Sequence, residues 1–292
     1  MYAIMSFGLM NASATFQRVM NIAFVGDKFV VIYLDDITVF SKSDEEHLDH
    51  LKMNFEKCRR FRLSLNPKKS IFALEEGKLL GHIVSRDGVK IDPTRVQAVQ
   101  KIPLPRSKKV IQKFLRKINF LKRFVSNYAE IVKEITNMLK KENEVHWTRE
   151  AIEPFSRIKE ALQAAPVLIS PNYQNPFQVF SFASPNSIVV VLLQKNDEEK
   201  EQPVAFFSKI LRDVELKYNI LEKQVYALVK ALKAFRNYVL QSQIIAYVPN
   251  AAVKYVLVQG DVEGKRGKCI AKIQEYDLDI KPTKLVKGQR KC

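Results

Sequence analysis

The sequence is poor in the residues that define several common protein classes. Only 9 of its 292 residues are glycine and 3 are cysteine. The low glycine content excludes collagen-like and low-complexity chains. Because Cys58, Cys269 and Cys292 are scattered and form no CxxC pair, the sequence indicates neither a disulfide framework nor a zinc motif, and the thiols are expected to be reduced.

Long apolar runs are also missing. A helix that crosses a membrane needs about 20 predominantly apolar residues, and the longest fully apolar stretches, such as Phe29–Leu34 and Ile188–Leu193, are far shorter. The first residues lack the basic region and the cleavage site of a secretory signal. We therefore expect an intracellular chain without a membrane partner, in a compartment that the sequence does not identify.

Positive charge is abundant and unevenly distributed. The chain has 48 Lys and Arg against 31 Asp and Glu, a net charge of +17. Residues 95–141 contain thirteen Lys and Arg but only two Glu, and aromatic residues such as Phe114 and Phe120 lie between them. Such a segment attracts a polyanion and neutralises phosphates. It predicts nucleic-acid binding, with a merely solvated basic helix face as the alternative.

Two adjacent carboxylates are the sharpest chemical signal. Asp35 and Asp36 lie between two β-rich runs, Phe29–Tyr33 and Ile37–Phe40, and this pattern predicts a hairpin with both acids at its tip. Like charges repel, but paired carboxylates can hold the divalent cations that activate a hydroxyl and neutralise a leaving group. An Asx turn within a hairpin is the structural alternative.

Hydrophobic periodicity predicts the remaining elements. The order of strands and helices in the last third of the chain favours one mixed α/β sheet. Short strands are expected at 63–65, 71–74, 79–85, 177–182, 188–194, 204–208 and 244–248, and helices at 44–62, 151–165, 215–238 and 251–257.

Several motifs, taken in order, resemble the reverse transcriptases of Ty3/gypsy-class LTR retrotransposons, plant-type elements in particular. The first is MSFGLMNASATFQ at residues 5–17, where Ser6 and Ser13 replace two prolines of the family pattern. The others are YLDD at residues 33–36, LNPKKSIF at 65–72, LLGHIVS at 79–85 and Asp92-Pro93.

This resemblance implies a mixed α+β and α/β fold, with a partial polymerase palm and a helical thumb followed by an RNase H-like mixed sheet with helices. It assigns residues 1–90 to the palm, 91–145 to a basic thumb-like region, 146–165 to a connecting helix and 166–292 to the RNase H-like domain. The family activity is RNA-directed DNA polymerisation with Mg²⁺ or Mn²⁺. The implied partners are an RNA/DNA primer–template, a dNTP and the remainder of a retroelement polyprotein.

The resemblance also implies roles for individual residues. Lys69 would donate a proton to pyrophosphate, although a solvated turn lysine is the alternative, and His82 has a structural alternative as well. The metal-binding and catalytic positions are Asp35 and Asp36, with Lys69 as a further catalytic residue. The nucleotide- and template-binding positions are Phe7, Gly8 and Gln17. The primer-binding positions are Leu80, Gly81, His82, Lys113, Arg116 and Lys117.

The sequence departs from the family pattern in two ways. The family palm needs a third aspartate upstream of residue 5, so we expect a chain that lacks this strand and the fingers and that does not extend primers alone. In the RNase H-like region, Phe182, Gln224 and Pro249 stand where the family has catalytic acids. Because Phe and Pro cannot ligate a metal through their side chains and Gln is a poor ligand, a degenerate centre is expected.

The leading hypothesis is therefore a reverse transcriptase fragment that binds primer–template duplex and carries an inactive, connection-type RNase H-like domain. The alternative is a non-enzymatic nucleic-acid-binding module or a pseudogene relic. A protein–protein adaptor would need a large exposed apolar patch, which the sequence does not clearly show.

Overall fold

The computed structural model describes residues 8–140, 143–249, 253 and 273–283. The chain divides into two compact units, residues 1–74 and 75–292. This division falls inside the segment 1–90 that the sequence assigns to the palm; the four domain limits given above stay predictions. Among the described residues, no helix combines the length and the apolar character needed to span a membrane.

The first unit is built on the hairpin that the sequence predicts. Its elements are α1 (Ala12–Ala23), β1 (Val30–Tyr33), β2 (Asp36–Val39) and α2 (Asp44–Arg60). Met20, Phe24 and Cys58 are buried between the helices and the hairpin. The strands expected at 63–65 and 71–74 are absent: both segments are irregular and largely exposed, so they lack the partner strand that β structure needs.

Helix α2 begins and ends where the sequence predicts it. The Ser43 side chain accepts a hydrogen bond from the Glu46 N–H, as an N-cap does. Acidic residues occupy the first turn and basic residues the last, an arrangement that the helix dipole favours.

The second unit begins with a small antiparallel sheet of β3 (Gly77–Leu79), β4 (His82–Ser85) and β5 (Gly88–Ile91). The single strand expected at 79–85 is therefore wrong, because the chain reverses at Leu80-Gly81 within it. Asp92 then caps the next helix at the Thr94 N–H, and its bonds to Lys78 and Thr94 lower the pKa of the carboxyl to about 2.

A group of helices follows the small sheet and shares one apolar core. Phe114, Ile118, Ile135 and Ile158 are almost fully buried in it, each contributing about 1.5–3 kcal/mol of transfer free energy. The helices are α3 (Pro93–Gln100), α4 (Lys108–Asn119), α5 (Tyr128–Ile131), α6 (Lys133–Asn137) and α7 (Arg149–Gln163).

The expected mixed sheet is confirmed in the last third of the chain. Its strands lie in the order β10-β9-β6-β7-β8, with the first three parallel and β6, β7 and β8 forming an antiparallel meander. The strands are β6 (Phe177–Ala183), β7 (Ser187–Lys195), β8 (Glu201–Ile210), β9 (Ile244–Val248) and β10 (Leu278–Pro282).

The long helix expected at 215–238 is interrupted. Asn219 and Glu222 form a reciprocal capping box that starts α8 (Ile220–Ala234), and a separate short helix, α9 (Arg236–Val239), follows. Helix α8 packs on the sheet through Val225, Leu228 and Leu232. The helix expected at 251–257 lies almost entirely outside the described residues.

The helices and the mixed sheet of the second unit are joined by backbone contacts and a shared core. Leu168 exchanges two backbone hydrogen bonds with Val89 of β5, and Phe206 of β8 packs against the helical core. Gly88 makes the first contact possible, since a Cβ there would lie 2.2 Å from the Leu168 carbonyl oxygen.

Candidate functional site

The two candidate metal-binding carboxylates lie at the tip of the β1–β2 hairpin. Tyr33 pairs with Asp36, so Leu34 and Asp35 form a two-residue turn. Leu34 has a φ of 52°, a left-handed conformation that costs a leucine on the order of 1–3 kcal/mol. The turn therefore presents Asp35 and Asp36 to solvent at the expense of local backbone strain.

Gln17 of α1 holds this strained turn. Its Oε1 accepts a hydrogen bond of 2.6 Å from the Leu34 N–H. Its Nε2 donates to the Asn21 side chain at 2.9 Å and makes a longer contact of 3.4 Å to the Ile32 carbonyl. The sequence predicts nucleotide or template contact for Gln17 and gives no sign of this supporting role, because the two bonded segments are far apart in the chain.

The hairpin carboxylates fit a partial metal site. The carboxylate side chains of Asp35 and Asp36 have no hydrogen bond or ion pair to another described residue, so both can accept a cation. Mg²⁺ commonly takes one or two protein carboxylates together with substrate phosphates and water. Within the described ranges, no group of three or more ligating side chains adds to the pair.

Three other residues that the sequence assigns to this site are Gly8, Lys69 and Phe7. Gly8 has a φ of +91° and open space where a Cβ would stand, which leaves its backbone accessible. Lys69 lies exposed in a turn whose backbone N–H groups bond to Asn66. No described contact joins Lys69 to the hairpin carboxylates. Phe7 lies outside the described residues.

The β3–β4 turn carries the first group of expected primer-binding residues. Leu80 and Gly81 both have positive φ, 49° and 76°, as a tight type I′ hairpin turn requires. A Cβ on Gly81 would lie 2.1 Å from the Arg95 guanidinium, which would have to move aside, and the positive φ of Gly81 itself favours glycine. Leu80 is exposed at the turn.

His82 is packed rather than free. Its ring stacks on Phe120 at 4.7 Å and lies 5.3 Å from Phe124. Burial lowers the pKa of His82, and the nearby Arg123 and Arg95 lower it further, so the imidazole is neutral near pH 7. These contacts agree with the structural alternative for His82.

Helix α4 separates its apolar and basic residues onto two faces. Ile111, Phe114 and Ile118 are buried, while the three cations between them are exposed. We call these three cations the basic face, and none of them has an ion pair to another described residue. The basic face consists of Lys113, Arg116 and Lys117.

The three positions predicted to correspond to RNase H acids carry no carboxylate. Phe182 lies in β6 opposite Val189, and Pro249 follows β9. Gln224 is buried in α8, where both its amide atoms bond to the backbone of Ala183. The neighbouring Glu222 accepts a hydrogen bond from the Asn219 N–H through its Oε2, in the capping box of α8.

Two family models match this chain, one over the segment with the β1–β2 hairpin and one over most of the mixed sheet. The family model "Reverse transcriptase (RNA-dependent DNA polymerase)" matches residues 1–84. The model "RNase H-like domain found in reverse transcriptase" matches residues 147–246. The two matches flank the helical region that carries the basic face.

Curated relatives are parts of transposon polyproteins. The chain is 34% identical over 282 residues to the retrovirus-related Pol polyprotein from transposon 297 of Drosophila melanogaster, covering 96% of the chain and 26% of the relative. It is 29% identical to the Pol polyprotein from transposon opus of the same organism and to the Tf2-3 polyprotein of Schizosaccharomyces pombe. The chain thus spans about a quarter of the length of the Drosophila relatives.

Solved structures share the fold. A foamy viral protease-reverse transcriptase in complex with double-stranded DNA matches with a TM-score of 0.84 and 24% identity, covering 95% of this chain and 50% of that one. The same type of protein in complex with an RNA/DNA hybrid matches with a TM-score of 0.81 and 22% identity, covering 40% of its chain. The chain therefore belongs to the reverse transcriptases of Ty3/gypsy-type retrotransposon Pol polyproteins and contains an RNase H-like domain.

Proposed function

We propose that this chain binds a primer–template duplex through the basic face of α4. The observation that carries the proposal is that Lys113, Arg116 and Lys117 are exposed without an ion pair to a described residue, on a helix that is anchored by a buried apolar face. Unpaired cations in one row can displace the counterions of nucleic-acid phosphates. The double-stranded DNA and the RNA/DNA hybrid in the foamy viral complexes support the choice of ligand.

We further propose that the β1–β2 hairpin supplies two carboxylates of an RNA-directed DNA polymerase site. Asp35 and Asp36 would hold Mg²⁺ or Mn²⁺ next to the phosphates of a dNTP. When bound, the metal would help to activate the primer 3′-hydroxyl and neutralise charge on the leaving pyrophosphate. Gln17 would keep the turn in shape, and the open backbone at Gly8 would face the nucleotide.

The remaining family assignments complete this proposal. Phe7 would border the sugar of the nucleotide, and Lys69 would give a proton to pyrophosphate. Leu80, Gly81 and His82 would lie near the primer. In the longer polyproteins of the relatives, the remainder of the polyprotein would be a partner of this segment.

The RNase H-like domain is proposed to hold its fold without cleaving RNA. Phe182 and Pro249 have no ligating side-chain atom, and both amide atoms of Gln224 are occupied by Ala183. Two-metal hydrolysis needs several carboxylates around the cations. This chemistry favours a connection-type role, in which the domain supports nucleic-acid binding by the neighbouring helices.

A salt titration of duplex binding tests the first proposal. Affinity of the full chain for a primer–template hybrid should fall steeply as salt rises, with log Kd changing by about 0.9 per phosphate neutralised and per tenfold change in salt. Fluorescence anisotropy at several salt concentrations measures this slope. An affinity that does not change with salt would contradict binding through the basic face.

Two activity assays test the remaining proposals. The purified chain, given Mg²⁺, dNTPs and a primed template, is expected not to extend the primer, because the two hairpin carboxylates lack a third one among the described residues. Extension that disappears in Asp35→Asn would overturn this expectation. Mg²⁺-dependent cutting of an RNA/DNA hybrid by the full chain, lost on further substitution in the RNase H-like domain, would overturn the proposed lack of cleavage.

A further inference from the structure

The degenerate RNase H position at Gln224 forms a paired hydrogen bond that a catalytic glutamate could not form. The Ala183 N–H donates to Gln224 Oε1 at 2.9 Å, and Gln224 Nε2 donates to the Ala183 carbonyl at 3.0 Å. Both residues are buried, at 5% and 1% exposure. An ionised glutamate has acceptors only, so it would place a carboxylate oxygen against the Ala183 carbonyl.

The chain just after Ala183 is held by further contacts from the same helix and strand. Lys223, also buried, donates its ammonium to the Pro185 carbonyl at 2.8 Å. Ser184 Oγ accepts from the Ser187 N–H at 2.9 Å, and the Ser184 N–H donates to the Ser187 carbonyl at 2.8 Å. The β6–β7 turn is therefore fixed to the start of α8.

The β6–β7 turn also contacts the helices that precede the RNase H-like domain. Ser187 Oγ donates to Glu130 Oε2 at 2.5 Å. Next to this bond, the Ala129 N–H donates to Ser208 Oγ of β8 at 2.8 Å. Helix α5, which contains both Ala129 and Glu130, packs through Tyr128 and Ile131 into the apolar core that α4 also enters.

We propose that the former catalytic position has become a structural joint between the RNase H-like sheet and the basic helices. The joint consists of the hydrogen bonds from Gln224 to Ala183, from the adjacent Ser184 to Ser187, and from Ser187 to Glu130. It keeps α5, and with it the core under the basic face of α4, in one orientation. Its role in nucleic-acid binding rests on the function proposed above, whereas the joint itself does not.

Glu130 offers a matched pair of variants for testing the joint. Glu130→Gln and Glu130→Ala remove the same charge, but only the glutamine keeps an oxygen that can accept from Ser187 Oγ. In the full chain without nucleic acid, amide hydrogen exchange in α5 should be about five-fold faster in Glu130→Ala than in Glu130→Gln, as expected for one lost hydrogen bond. Equal exchange in the two variants would overturn the joint.

The far end of the joint is tested by a second matched pair. Gln224→Glu should also accelerate exchange in α5 (Tyr128–Ile131), although the two are distant in sequence, because the Ala183 carbonyl loses its donor. Gln243→Glu introduces the same charge at an exposed position of the same domain and should leave α5 unchanged. If α5 exchange is the same in these two variants, the joint does not extend to Gln224.

Duplex affinity separates the joint from the function proposed for the chain. If the joint orients the basic face, Glu130→Ala should bind a primer–template hybrid about three-fold more weakly than Glu130→Gln. This loss of binding free energy is somewhat smaller than the net contribution of one hydrogen bond. Absence of duplex binding by the unsubstituted chain would refute the proposed function and leave the exchange test of the joint intact. Equal affinities in the two binding-competent variants would refute the orienting role.

Discussion

Polar side chains at the hairpin tip and at Gln224 lie in opposite environments, the first exposed and the second buried. At the tip, Asp35 and Asp36 are exposed and have no described partner, on a turn that contains a left-handed leucine. At the second position, the amide of Gln224 is buried and both of its polar atoms are hydrogen-bonded. Unsatisfied charge on a strained turn is typical of a binding site, and full satisfaction is typical of a structural contact.

If the proposed function holds, the two domains are under different constraints: the hairpin has to bind a cation, whereas the RNase H-like domain has only to keep its fold. In the proposed function, the hairpin supplies two carboxylates for a cation, and Gln17 holds their backbone in place. The RNase H-like domain has a closely packed core of Val190, Leu192, Leu228 and Ile244, and the positions predicted to correspond to acids hold Phe, Gln and Pro. In the function proposed above, the RNase H-like domain keeps its fold without its chemistry, whereas the hairpin keeps both.

The strongest predicted change is the loss of duplex affinity when the exposed cations of the basic face are removed. Replacing Lys113, Arg116 and Lys117 together by Ala should weaken duplex binding on the order of 100-fold at low salt and reduce the salt slope by up to about 2.7, because up to three phosphate contacts are lost. Anisotropy titrations measure both quantities. The loss should be similar for unrelated duplex sequences, since phosphate contacts carry no base information.

A control with the same change in charge uses lysines that already have partners. Lys195, Lys200 and Lys281 pair with Glu199, Glu198 and Asp279 respectively. Their triple replacement by Ala should reduce affinity much less than the change in α4. Equal losses in the two triple variants would mean that net charge alone, and not the basic face, determines binding.

The next largest effect is expected where the buried amide becomes an acid. Gln224→Glu should lower the free energy of unfolding by about 2–4 kcal/mol at neutral pH, because a buried carboxylate replaces a satisfied amide. Burial raises the pKa of such an acid in the folded state, so the loss should be absent below the ordinary value of about 4.3 and grow as pH rises above it. Urea unfolding of this variant and of the unsubstituted chain at pH 4 and pH 8 measures the difference; a loss independent of pH would contradict the explanation.

A smaller effect is expected at the support of the hairpin. Gln17→Ala removes the acceptor for the Leu34 N–H, so hydrogen exchange at that amide should be about five-fold faster, as for one hydrogen bond of roughly 1 kcal/mol. Gln17→Glu keeps an oxygen acceptor and should lose much less protection. Comparable exchange in Gln17→Ala and the unsubstituted chain would show that Gln17 does not hold the turn.

The smallest effect on stability is expected at the acids themselves. Asp35→Asn and Asp36→Asn should change the free energy of unfolding by no more than about 0.5 kcal/mol, as is usual for exposed positions. The same variants should weaken Mn²⁺ binding, which can be followed by paramagnetic broadening of nearby NMR signals. A large loss of stability in either variant would indicate a structural role and would remove the contrast with Gln224.

The sequence allowed the elements that have strong local signals to be predicted. The β1–β2 hairpin, helix α2 and the three successive strands β6, β7 and β8 of the mixed sheet are confirmed. The strand expected at 79–85 is wrong because Leu80, a residue that rarely adopts positive φ, forms the turn with Gly81. The prediction of one continuous helix at 215–238 is wrong because it followed the apolar periodicity of the segment. The capping box of Asn219 and Glu222 starts a separate helix at Ile220.

The order of amino acids specifies which chemical groups the chain has: the carboxylates at 35 and 36, the cations of α4, and the neutral residues at 182, 224 and 249. Tertiary structure alone decided which of these groups are free and which are satisfied. Gln17 meets Leu34, and Gln224 meets Ala183, only because folding brings distant segments within hydrogen-bonding distance. Hydrogen bonds act over about 3 Å, so no pattern along the chain could specify these partners.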